Sequence, residues 1–183
     1  MQKRFILLLL NFGSAYLKPR QYTYDIHMLE AKPFSNPEFT DFRATVANET
    51  AMDADVLLKK FVYKPYFIRS VVQVEPNGRK TTLYNHPYFL CDGDKHFIPA
   101  YIINYYQKTL QMILKQEIKC PIEPKLYSIR GLVWKSPYLP LKLFYKPKSY
   151  FLVNVSVFES ITKSKSIYLG SLLMRNEISK RAM

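Results

Sequence analysis

Along most of the chain apolar and polar positions alternate with a period of two, the pattern of strands that bury one face. Over residues 51–61, Met52, Ala54, Val56 and Leu58 fall on one side, with Asp53 and Asp55 on the other. Residues 22–30 predict a first strand, closed by a turn at Ala31-Lys32-Pro33, and residues 39–47 a second. Residues 66–74 and 80–90 are rich in β-branched and aromatic side chains, which favour strands. Between them stands Pro76-Asn77-Gly78-Arg79, whose Asn-Gly step tolerates the positive φ of a tight hairpin. Three more strands are predicted over residues 126–134, 149–158 and 166–174.

From Ile98 the period changes. Ile98, Tyr101, Ile102, Tyr105, Leu110, Ile113, Leu114 and Ile118 recur at steps of three and four, with Gln107, Lys108, Gln111 and Lys115 largely opposite. This spacing predicts one amphipathic helix over 99–118, opened by Pro99 and stopped before Cys120-Pro121, since proline cannot continue a helix. About eight strands with one inserted helix and no internal repeat or linker predict a mainly β fold, a two-sheet β-sandwich.

The first 15 residues follow a different logic. Lys3 and Arg4 precede an apolar run from Phe5 to Leu10, and Gly13-Ser14-Ala15 follows. Charge, apolar stretch and small residues in that order predict a signal peptide over 1–15, cleaved after Ala15. The run is too short and too broken, by Asn11 and Gly13, for the roughly 20 apolar residues of a spanning helix, so no transmembrane segment is expected. One domain over 16–183 remains, and the expected location is secreted and extracellular.

Export changes the reading of the two cysteines. In an oxidising compartment Cys91 and Cys120 are most simply a disulfide across the predicted helix, two buried free thiols being the alternative. The sequons Asn48-Glu49-Thr50 and Asn154-Val155-Ser156 predict glycosylation at Asn48 and Asn154, the second on the solvent side of its strand.

The net charge of +13 favours anionic partners such as acidic glycans or lipid headgroups. Lys and Arg are scattered singly rather than gathered in a basic block, so no nucleic-acid partner is expected. The three histidines, His27, His86 and His96, form no metal-ligand or nucleophile–base pattern in sequence, and Asp92-Gly93-Asp94 reads as a turn rather than a calcium site. Neither catalysis, a metal nor a cofactor is expected. Aromatic residues make up 15% of the chain, more than a core this size requires. The candidates for the walls of an apolar pocket are Phe67, Val71, Tyr84, Tyr88, Phe89, Tyr105, Trp134, Phe151, Val153 and Leu169, against ordinary core packing for each.

The order of leader, strands, hairpin, Cys91, amphipathic helix and Cys120-Pro121-Ile122, followed by Phe151-Leu152-Val153-Asn154-Val155-Ser156, resembles a group of secreted fly proteins. These are similar to the ML-type lipid-recognition and ganglioside-activator proteins, and the resemblance runs from Tyr22 to Ile178. It implies an immunoglobulin-like sandwich around a lipid-sized cavity, with chemosensory, pheromone-perceiving relatives among the insect members. A single cysteine pair with a helix between its members departs from the better-known lipid-recognition pattern. The expected function is a non-enzymatic binder of a lipid or pheromone-like molecule. The alternative is an extracellular interaction protein with a filled core, whose basic surface holds an acidic glycan or a receptor.

Overall fold

The computed structural model describes residues 22–91, 119–133, 141–162 and 164–182. The predicted leader, the helix over 99–118, Tyr105 and Trp134 lie outside them. Eight strands follow in order: β1 (Tyr22–Ser35), β2 (Thr40–Asn48), β3 (Ala51–Leu58), β4 (Pro65–Val74), β5 (Lys80–Phe89), β6 (Leu126–Val133), β7 (Tyr150–Ser160) and β8 (Ser166–Ala182). A four-residue helix, α1 (Leu141–Phe144), precedes β7.

The strands form two antiparallel sheets, a five-stranded one in the order β1-β8-β7-β4-β5 and a three-stranded one in the order β2-β3-β6. The sheets meet through a shared core. Met28 of β1, Met52 and Ala54 of β3, Val153 of β7 and Leu172 and Met174 of β8 are buried together, with Phe42, Val46, Ile129 and Leu132 packed against them. A smaller cluster of Leu58, Val62 and Leu169 closes one end, under Val157, Ile122 and Tyr127. The mainly β, two-sheet architecture is the one the alternation predicts.

The predicted hairpin turn forms where Asn77-Gly78 stands. Gly78 takes φ +81°, Glu75 N donates to Arg79 O at 2.9 Å, and Arg79 N donates to the Asn77 side chain at 2.9 Å.

Two strands run further than predicted. β1 does not turn at Pro33 but continues to Ser35, pairing Pro33 with Leu172. It is an outer strand of its sheet, and an outer strand accommodates a residue that has no N–H to donate. β8 continues past Met174 to Ala182, alternating as far as Ile178: Met174, Asn176 and Ile178 are buried while Arg175 and Glu177 are exposed. The polar Asn176 at an inward position hides this rhythm in the sequence.

Asn176 is 4% exposed, it faces Phe151 across the ladder, and neither atom of its side-chain amide has a hydrogen-bond partner. An unpaired buried amide forfeits about 1–3 kcal/mol of hydration with nothing in return. Asn176→Leu, close in volume, is expected to raise unfolding stability in urea by about 1–2 kcal/mol. A loss of stability would show that the amide is satisfied in solution.

Candidate functional site

The two faces of the five-stranded sheet differ in what they carry near β4 and β5. The β4–β7 register is unbroken, placing Phe67 opposite Val157, Arg69 opposite Val155 and Val71 opposite Val153. Val153 belongs to the main core, Val71 and Val155 pack against it, and Val157 packs on the smaller cluster. Phe67, Arg69 and Val71 therefore all turn inward. Their partners on β5 are Tyr88, His86 and Tyr84, which turn inward with them. The result is a wall two strands wide.

The rings of this wall touch one another. Phe67 stacks on Tyr88 with centroids 4.8 Å apart, His86 meets Tyr88 edge-on at 5.6 Å, and the hydroxyls of Tyr84 and Tyr88 contact each other. Tyr88 is buried, yet among the described residues no residue of β5 belongs to either core cluster. Among the described residues the inner surface of β4 and β5 is thus an aromatic wall that joins the main core through Val71.

The ten residues predicted to line a pocket separate into groups. Phe67, Val71, Tyr84 and Tyr88 are brought together on this wall. Phe151, Val153 and Leu169 are buried, Val153 in the main core and Leu169 in the smaller cluster. Phe89 turns to the outer face, since the adjacent Tyr88 turns inward. There it packs against Tyr66 at 5.3 Å, and Tyr66 in turn stacks on Phe158 at 5.3 Å. Tyr105 and Trp134 lie outside the described residues. The outer face also carries an open depression of about 460 Å³ lined by Phe34, Ser35, Asn154, Tyr168, Ser171 and Leu173.

Cys91 and Cys120 form the predicted disulfide, with Cα atoms 6.0 Å apart. Immediately beyond it Ile122 and Val62 exchange backbone hydrogen bonds of 2.8 and 3.0 Å, tying the chain after Cys120 to the segment between β3 and β4. The disulfide thus anchors the strand that leaves the wall, just past Phe89, to the end of the sandwich.

One polar cluster escapes sequence reasoning. Glu49 accepts at 3.0 Å from His27 Nδ1, and His27 Nε2 lies 2.8 Å from Ser179 Oγ. The order carboxylate, imidazole, hydroxyl is that of a nucleophile relay, and no sequence spacing announces it because the three residues come from β1, the β2–β3 turn and β8. Ser179 lies in the β1–β8 ladder opposite Asp25. The cluster clasps the β2–β3 turn onto the outer strand. On the three-stranded sheet the Ser128 hydroxyl and the Arg130 guanidinium, both 2.6 Å away, hold the Asp55 carboxyl below the usual carboxylate range.

Among the described residues no group of His, Cys, Asp or Glu is arranged to hold a metal ion, and no helix is long and apolar enough to cross a membrane. In comparisons with known proteins, no family model and no curated protein matches the chain.

Proposed function

We propose that the chain is an exported, non-enzymatic carrier or presenter of a hydrophobic molecule, built as an immunoglobulin-like sandwich. The observation that carries this reading is the inward aromatic wall of Phe67, Tyr84 and Tyr88, which among the described residues belongs to neither core cluster. Apolar and aromatic surface with a few polar groups among it is the usual lining of a small-molecule site. The disulfide supports export, because such bonds persist in oxidising compartments. A lipid or pheromone-like guest follows from the same wall, whose rings offer apolar faces and few hydrogen bonds.

The test is native mass spectrometry of the full secreted chain after incubation with dodecan-1-ol. A one-to-one adduct is expected, weakened in the Phe67→Ser and Tyr84→Ser variants, whereas a chain that takes up no alcohol sinks the reading.

The rival reading, an interaction protein that uses its basic surface, draws support from one end of the sandwich. There Leu58 N donates to Lys125 O and Ser160 N donates to Lys64 O, which brings the exposed Lys59, Lys60, Lys64 and Lys125 to neighbouring strand ends. Heparin retention that survives physiological salt, together with no alcohol adduct, would favour it.

Export also separates the two sequons. Asn48 is exposed at the β2–β3 turn, where its side-chain oxygen accepts from both the backbone N and the hydroxyl of Thr50 at 2.9 Å. Asn154 stands mid-strand between β4 and β8, partly buried, with its Nδ2 donating to Ser156 Oγ at 3.1 Å. In a eukaryotic secretory host Asn48 is expected to carry the glycan and Asn154 to stay largely bare. Peptide mapping after glycosidase treatment checks this, and full occupancy at Asn154 would contradict it.

A further inference from the structure

The end of the sandwich where β3 leads into β4 turns apolar side chains toward water. Phe61 is 48% exposed and Tyr63 63%, with ring centroids 6.4 Å apart. Ile161, also exposed, stands in the β7–β8 turn, which meets this segment where Ser160 N donates to Lys64 O at 3.0 Å. The backbone imposes this exposure. Val62, between the two rings, is buried and exchanges hydrogen bonds of 3.0 and 2.8 Å with Ile122, while Tyr63 N donates to the Glu159 carboxylate at 2.8 Å. With Val62 pinned inward, Phe61 and Tyr63 are held facing solvent, in a segment that is already ordered.

Lysines stand among these apolar groups. Lys59, Lys64, Lys125 and Lys165 are exposed at the same end, brought together where Leu58 N donates to Lys125 O and Ile161 N to Lys165 O. Lys60 is there as well, ion-paired with Glu38 at 2.5 Å, and Glu123, next to Ile122, adds one exposed carboxylate. Positive charge prevails at this end, as in the chain as a whole, whose net charge is +13.

The mixture discriminates among partners. An acidic glycan pairs with the lysines and leaves Phe61, Tyr63 and Ile161 in water. Protein interfaces favour aromatic side chains but are depleted in lysine. An anionic bilayer uses both: rings enter the boundary between headgroups and acyl chains, and ammonium groups lie against the phosphates.

We propose that this end of the sandwich docks on an anionic lipid surface, with Phe61, Tyr63 and Ile161 inserted and the lysines at the headgroups. The proposal goes beyond the carrier reading and does not depend on the guest.

The experiment sediments the full disulfide-bonded chain with vesicles of phosphatidylcholine, alone or mixed equally with phosphatidylserine. Binding to the mixed vesicles is expected to be at least about tenfold tighter than to the neutral ones, and Lys64→Gln to weaken it about fivefold, the effect of one basic side chain near such a surface. Phe61→Ser and Tyr63→Ser should each weaken it about tenfold while keeping the wild-type heparin retention and urea midpoint. Leu143→Ser alters a more exposed residue, 76% accessible, on α1 at the opposite end, where Gln73 near the close of β4 bonds to Phe144 O, and should change nothing. The proposal is overturned if the mixed vesicles are not bound, if neutral vesicles are bound equally, or if both serine variants at Phe61 and Tyr63 bind as the wild type does. Heparin retention alongside any of these results assigns the lysines to a glycan instead. Uptake of dodecan-1-ol is measured without vesicles, so this proposal and the carrier reading fail separately.

Discussion

Replacing Cys91 and Cys120 together by serine is expected to cost the fold about 3–4 kcal/mol. The bond links residues 29 positions apart, and closing a loop of that length removes conformational entropy from the unfolded chain on this scale. Local structure adds to the effect. Val62 and Ile122 pair just beyond the bond, Val62 is 1% exposed, and both belong to the smaller core at the end of the sandwich. Without the covalent link the chain at residue 120 must find that pairing unaided. Urea denaturation of the double-serine variant beside the wild type measures the difference. A change below about 1 kcal/mol would mean that the bond constrains nothing the unfolded chain would otherwise explore.

Truncating Met52 to alanine is expected to cost about 2–5 kcal/mol. Met52 and Met174 are each 1% exposed and Met28 is 2% exposed, so three methionines fill the interior where the sheets meet. Removing one side chain leaves a void bounded by the other two and by backbone held in two ladders, which limits collapse around it. Met52→Leu, nearly equal in volume, should cost less than about 1.5 kcal/mol. The pair of variants separates lost volume from lost chemistry: if both cost the same, the site reads the thioether and not the space.

How far the sequence reveals the molecule depends on which signal each element uses. The eight strands are legible because their inward and outward residues alternate, as in Met52-Asp53-Ala54-Asp55, and because Asn77-Gly78 marks its turn. The limits of β1 and β8 are not. Proline ordinarily ends a strand, and only the place of β1 at the flank of its sheet makes Pro33 acceptable there. Asn176 occupies an interior position that composition assigns to a hydrophobe.

For the site, alternation correctly groups Phe67 with Val71, and Tyr84 with Tyr88, since residues two or four apart share a face. It does not reveal whether that face meets a packed core or lies beside one, which depends on the order of strands in the sheet. Val153 carries the same pattern and sits in the main core. Arg69 and His86 go unnoticed for a related reason: polar residues between apolar neighbours read as solvent-facing until the register assigns them inward. The clasp of Glu49, His27 and Ser179 depends wholly on the meeting of distant segments.

The five-stranded sheet ends on β1 and β5, and each of these strands carries a proline, Pro33 and Pro87. A second molecule adding itself strand by strand at either flank would meet a position unable to complete the continuing ladder. The flanks of this larger sheet are thereby made poorer templates for strand addition, the hazard every open sheet carries.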